Sequence, residues 1–164
     1  MSVKFGLPPV ALPDARLFIL GSLPGDASLA ARRYYAHPRN QFWRLLGHVV
    51  GEDLHQLAYD ERLVRLAVHR IGLWDVVASA NRPGSLDQAI RGAEHNRIDR
   101  LRHDHPDIRA FGFNGGKAGA VGRLLLGREP RISLIDLPSS SPTNTRPFAE
   151  KAAAWEALRE FLQP

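Results

Sequence analysis

The chain has no cysteine among its 164 residues. That one absence excludes disulfides, thiolate zinc sites, iron–sulfur clusters and a cysteine nucleophile. No apolar run approaches the ~20 residues needed to span a bilayer. The segment Met1–Gly6 lacks the basic-then-apolar pattern of a signal peptide. A soluble cytoplasmic protein with no membrane partner is therefore expected. Lysine is scarce as well. Lys4, Lys117 and Lys151 are the only three, so 19 of the 22 basic residues are arginine, against 17 acidic residues and a net charge of +5. The planar guanidinium fork matches phosphate oxygens, which suits a polyanion partner. A GC-rich genome produces the same bias, so composition alone weighs nucleic-acid binding and genomic bias equally. The remainder is an ordinary globular mix, 44% hydrophobic and 24% charged. With no internal repeat and no linker, it predicts a single domain over residues 1–164.

Three short apolar runs read as buried strands: 16–20, 108–113 and 131–137. Ile71–Val77 reads as a further strand or extended core. Helices are predicted over 40–50, 60–69, 97–105, 117–126 and 147–162, each from an apolar stripe at helical spacing and most from a Gly or Pro stop. A short helix over 85–90 would start at Ser85 as N-cap. Phe5–Pro13, with three prolines, is expected to wrap the surface in extended form. Strands alternating with helices predict an α/β protein: a three-layer α/β/α sandwich around a short, mainly parallel sheet. In such folds, loops at the carboxyl ends of the strands carry function. Three loops fall there, at 21–40, 114–117 and 138–145, and the topology brings them to one crevice.

Each loop has a functional and a plain reading. Tyr34-Tyr-Ala-His-Pro-Arg-Asn-Gln-Phe-Trp43 packs aromatics, an imidazole and an amide into ten residues. The aromatics suit base stacking. Asn40 reads either as a helix N-cap or as an amide that holds a water or reads a base edge. His37 is either structural or a site imidazole. Gly21-Ser-Leu-Pro-Gly25 lacks the Lys and Ser/Thr of a phosphate-binding P-loop, and it is no dinucleotide fingerprint, so no nucleotide cofactor is expected. Asn114-Gly-Gly-Lys117 offers backbone N–H groups and one lysine to a phosphate, or is a plain strand-to-helix turn. Ser139, Ser140 and Ser141, between two prolines, can reach DNA phosphates or simply form turns. No Gly-x-Ser-x-Gly elbow supports a serine hydrolase. The seven histidines are scattered and suggest no metal site.

Taken together, these segments resemble the uracil-DNA glycosylase superfamily. Gly21-Ser-Leu-Pro-Gly25 is similar to its first motif. Tyr35-Ala-His-Pro-Arg-Asn-Gln-Phe-Trp43 is similar to the aromatic-Ala-His-Pro-x-Asn-x-Phe-Trp segment of its mismatch-specific branch. Phe113-Asn-Gly-Gly-Lys117 resembles the segment that reads the base, and Leu137-Pro-Ser-Ser-Ser-Pro-Thr-Asn144 the loop that pinches the backbone. Leu23 stands where the mismatch-specific branch has Asn and the main branch Asp, and leucine cannot orient water. The Gly-Ser-Leu-Pro-Gly form most resembles the hypoxanthine-DNA glycosylase branch, whose catalytic asparagine matches Asn40.

The resemblance implies a monofunctional glycosylase that flips a deaminated base out of duplex DNA and hydrolyses its N-glycosidic bond. It places Asn40 on the water and Tyr35 stacked on the base. His37, Asn114, Ser22 and Leu23 fall around the base. Ser139, Ser140, Ser141, Pro142, Thr143, Asn144, Arg146 and Lys117 fall on the DNA, with Arg146 as wedge or phosphate contact. No cofactor and no metal are expected, and the partner is double-stranded DNA bound by a monomer. The alternatives are a mismatch-specific uracil-DNA glycosylase and a non-catalytic nucleic-acid-binding domain on the same fold.

Overall fold

Four apolar segments build the central sheet of the protein, described over residues 2–164 in a computed structural model. They are β2 (Leu17–Gly21), β3 (Ile71–Asp75), β6 (Ala110–Asn114) and β7 (Ser133–Leu137), all parallel, in the order β3-β2-β6-β7. The central strand β2, Leu-Phe-Ile-Leu-Gly, is buried along its whole length because both faces of the sheet are covered. Its side chains alternate. Leu17 and Ile19 enter one core with Phe42, Trp43, Leu45, Trp155 and Leu158, while Phe18 and Leu20 enter the other with Phe111, Phe113, Ile98, Leu101 and Leu126.

The first core is roofed by α2 (Phe42–Val50), α3 (Tyr59–Val68) and α6 (Phe148–Trp155). The second is covered by α4 (Leu101–Asp104) and α5 (Gly116–Leu126). Trp43 and Trp155 are almost wholly buried, and truncating either to Ala is worth about 3–5 kcal/mol. The proline-rich 5–13 stretch runs extended over the outer edge of β3, where Val10 and Leu73 exchange backbone hydrogen bonds of 2.9 and 2.8 Å. That pairing covers an otherwise open strand edge.

The predicted three-layer α/β/α arrangement is present. The sheet is entirely parallel, and a second sheet accompanies it. This one is antiparallel, in the order β1-β4-β5, from β1 (Val3–Phe5), β4 (Val77–Asn81) and β5 (Arg91–His95). The run expected as one strand over 71–77 breaks after Asp75, and Val77 begins β4 in this second sheet. The expected helix at 85–90 is a single 3-10 turn, Asp87–Ala89, and Ser85 is not its cap: its Oγ accepts the Asp26 N–H at 3.0 Å. The 97–105 helix is likewise a 3-10 turn followed by α4. The last helix tightens to 3-10 geometry over Glu156–Phe161. The first loop contains a short helix, α1 (Asp26–Ala31).

The register decides where chemistry sits. Gly21 pairs with Asp75, and Asn114 with Leu137, so all four strands end on one edge of the sheet.

Candidate active site

At that edge lies a cavity of about 420 Å³, within the usual range for a small-ligand site. Its lining draws on the first loop, the segment before α2, the end of β3, the turn at Ser85–Asp87, the end of β6 and the loop after β7. The three predicted loops therefore do converge, joined by two segments that were not singled out.

Asn40 lies on this lining, immediately before α2. Its Oδ1 accepts the Phe42 N–H at 3.0 Å and the Ser140 hydroxyl at 2.8 Å. The first contact closes a turn two residues on, one position ahead of α2, whose N-cap is Gln41, so Asn40 is not the helix cap but braces the helix entry from the cavity side. The two donors also set the amide's orientation, because a flip would bring its NH₂ against the Phe42 N–H. With both lone pairs of Oδ1 engaged, the group Asn40 has left for a ligand is the Nδ2 donor.

Ser140 corrects the expectation for its loop. It is 1% exposed. Its hydroxyl donates to Asn40 and accepts the Asn114 Nδ2–H at 2.9 Å, its N–H donates to Asn114 Oδ1 at 2.9 Å, and its carbonyl accepts the Gln41 N–H. A side chain so occupied does not face a phosphate; it ties Asn40 to Asn114. Asn114, 9% exposed, accordingly has one amide proton and one lone pair committed to Ser140, which leaves only part of its amide for a base edge.

Ser139 and Ser141 stay half-buried on the lining, and each hydroxyl accepts a backbone N–H two residues on. Pro142 and Thr143 are exposed at the mouth. Asn144, Arg146 and Lys117 lie off the lining. Asn144 braces the loop through Nδ2 to the Ser139 carbonyl at 3.0 Å, and Arg146 and Lys117 are exposed. Lys151, 1% exposed, donates to Gln41 Oε1 at 2.9 Å and holds the start of α2 against the loop after β7.

Tyr35 has φ +54°, a left-handed backbone uncommon for a non-glycine residue. Its ring stacks on Phe42, centroids 3.8 Å apart at 9°. One face is thus occupied by the core. Its buried hydroxyl has no hydrogen-bond partner, and burial raises its pKa. His37 is exposed on the lining. Its Nδ1 accepts the Arg39 N–H at 3.1 Å, which leaves Nε2 as the free ring nitrogen. Ser22 donates to Asp87, while the Leu23 side chain is buried in the second core and its carbonyl accepts from Arg82.

Asp75 went unnoticed in the sequence. It ends β3, lines the cavity and is 4% exposed, and its Oδ2 has no hydrogen-bond partner. Burial first, then the charge of Asp87, pushes its pKa up to about 7. Gly21 is required beside it: a Cβ there would lie 2.6 Å from Asp75 Oδ1 and 3.0 Å from Tyr35 Oη. The available signal was a lone acid inside an apolar strand, at the carboxyl end where ligands bind. Among the described residues no group of three or more His, Asp or Glu side chains is arranged to hold a metal ion, and no helix is long and apolar enough to cross a membrane.

The family model of the uracil DNA glycosylase superfamily matches residues 8–161. A protein of Methanosarcina acetivorans described as a hypoxanthine DNA glycosylase is 42% identical over 158 residues, covering 95% of this chain and 98% of its own. A counterpart in Methanosarcina barkeri, described in the same words, is 41% identical over 154 residues, covering 93% of this chain and 95% of its own. The solution NMR structure of a candidate uracil DNA glycosylase from Methanosarcina acetivorans superposes with a TM-score of 0.87 at 40% identity, covering 99% of this chain and all of that one.

Proposed function

The chain belongs to the uracil DNA glycosylase superfamily, and from that premise we propose that it is a monofunctional DNA glycosylase that releases hypoxanthine from deoxyinosine in double-stranded DNA. The relatives described as hypoxanthine DNA glycosylases support this substrate. One structural observation carries the reading. Leu23, the third residue of the first motif, is apolar and packs into the core, and the amide of Asn40 is instead locked in one orientation at the cavity.

The target nucleotide leaves the stack and enters the cavity, with its base against the free face of Tyr35. As the C1′–N9 bond breaks, the sugar becomes cationic and the base takes the electron pair. Asn40 holds the incoming water through its Nδ2 donor. An amide is no base, and this one has no free acceptor, so it fixes the position of a neutral water that the sugar cation is electrophilic enough to accept. Donors facing the base, the remaining amide proton of Asn114 among them, pair with the O6 carbonyl of hypoxanthine. Adenine, with an amino group there, leaves them unpaired. Ser139, Ser141, Thr143, Arg146 and Lys117 meet the backbone. The protein works in the cytoplasm as a monomer on this reading.

A panel of duplexes carrying inosine, uracil or xanthine, with free base quantified and no metal added, tests the proposal. Release from the inosine duplex is expected to lead the panel. Asn40→Ala is expected to slow that release at least about a hundredfold, the scale of a lost positioning contact, with duplex affinity largely retained. Wild-type turnover in that variant sinks the assignment of Asn40, and no release from any of the three substrates sinks the enzyme.

A further inference from the structure

We propose that Asp75 is the acid of this site, its Oδ2–H donating to the purine and passing the proton to it as the glycosidic bond breaks. The inference rests on the glycosylase reading and adds to it the group that neutralises the leaving base.

The cavity gives Asp75 no partner of its own. A buried ionised carboxylate is tolerated only when paired or richly hydrogen-bonded, and Oδ2 has neither. The cation acting on Asp75, Arg82 just after β4, is itself buried, but its guanidinium donates to the carbonyls of Leu23, Pro24 and Gly84. The other charged or titratable groups that act on Asp75 are Asp87 from the turn after β4 and Tyr34 and Tyr35 from the segment before α2. The strand β2 contributes only the Gly21 backbone. Asp87 opposes ionisation, Arg82 and the Gly21 N–H favour it, and burial outweighs both favourable influences. A large share of Asp75 therefore keeps its proton at neutral pH. Its O–H then has no acceptor until a ligand enters. Hypoxanthine brings three, at N3, N7 and O6.

The step balances. The C1′–N9 bond breaks with its electron pair moving onto the base. The Asp75 proton goes to a purine acceptor, and hypoxanthine leaves neutral rather than as an anion. Water adds its oxygen to C1′ and releases a proton to solvent, and the Asp75 carboxylate is reprotonated for the next turnover. No oxidant, metal or further reactant enters.

Single-turnover base release from an inosine duplex between pH 5.5 and 9 tests this, using the intact protein as wild type, Asp75→Asn, Asp75→Glu and His37→Gln. The wild-type rate is expected to fall as pH rises beyond about 7, approaching tenfold per unit. Asp75→Asn keeps the shape and an N–H donor but cannot deliver a proton. It is expected to be about a hundredfold slower at pH 6, at the low end of general acid effects, and to lack the descending limb. Asp75→Glu is expected to retain the limb with a displaced midpoint, and His37→Gln to retain it in place. A wild-type limb that survives in Asp75→Asn overturns the assignment alone, as does its loss in His37→Gln. A wild-type enzyme that releases no base at any pH overturns the glycosylase reading and takes this assignment with it.

Discussion

Ser140 carries more of the site than its place in a serine-rich turn suggests. It joins the Asn40 amide to the Asn114 amide at the end of β6, by hydrogen bonds of 2.8 and 2.9 Å through one hydroxyl. Ser140→Ala would leave Asn40 with its bond to the Phe42 N–H alone and the Asn114 NH₂ short of an acceptor in a buried setting. A stability loss of about 1–3 kcal/mol is expected from the unpaired polar group, measured by denaturant unfolding. Base release is expected to fall about tenfold or more with duplex affinity unchanged, because the loss is one of aim. Asp75 behaves in the opposite sense. Its pKa is about 7 in the folded chain and near 3.9 unfolded, so the folded state binds its proton more tightly. The native state is therefore penalised progressively as pH rises from about 4 to 7. Asp75→Asn removes that penalty and is expected to raise stability at pH 8, by up to a few kcal/mol at about 1.4 kcal/mol per unit, and to change it little at pH 4. Thermal unfolding at the two pH values reads the difference. Neither role was legible from neighbours in the chain. Asn40 announced itself through its motif and helix boundary, whereas Ser140 and Asp75 take their character from burial by segments 20 to 100 residues away.

At the scale of elements, the connection from β6 to α5 shows how a strand end is converted into a site wall. Gly115 has φ +100° and ψ 167°, a backbone essentially reserved for glycine. Its N–H donates to the carbonyls of Phe113 and Leu137, and a Cβ there would meet Ser139 at 3.3 Å. Gly115→Ala is expected to cost about 1–3 kcal/mol from backbone strain, and to weaken base release further by shifting the Ser139–Ser141 segment. Gly116→Ala, with open space around it, provides the contrast and is expected to be near neutral. Equal effects at the two positions would contradict this account. The strands of the parallel sheet were readable because each is an apolar run with both faces covered. The second sheet was not. Val-Lys-Phe alternates over only three residues, Val-Ala-Ser-Ala-Asn and Arg-Gly-Ala-Glu-His have neither clear alternation nor sustained hydrophobicity, and their pairing joins Val3 to Asn81 across the chain. Such strands exist by partnership, which local pattern does not record.

For the whole molecule, the question left by composition is whether 19 arginines form a DNA surface. The fold disperses many of them into local structure. Arg62 holds the carbonyls of Leu54 and His55, Arg65 pairs with Glu52, Arg159 holds the carbonyls of His48 and Val49, and Arg82 braces the first loop. Among the exposed cations near the strand-end edge that carries the cavity, three are placed to meet a duplex backbone: Arg39 beside His37, Lys117 opening α5 and Arg146 ahead of α6. None of the three is in an ion pair with a carboxylate of the chain. Net charge is thus a poor guide to the number of phosphate contacts, and placement a better one. Each phosphate neutralised contributes about −0.9 to the slope of log affinity against log salt. A slope of about −3, rather than one near the total positive charge, is expected for duplex binding measured by fluorescence anisotropy across a salt series. Arg146→Ala is expected to reduce that slope by about one and to weaken inosine and undamaged duplexes equally, because a phosphate contact carries no base information. If Arg146 instead fills the gap left by the flipped base, the slope stays and the loss falls on base release. The two outcomes assign the residue to the backbone or to the stack.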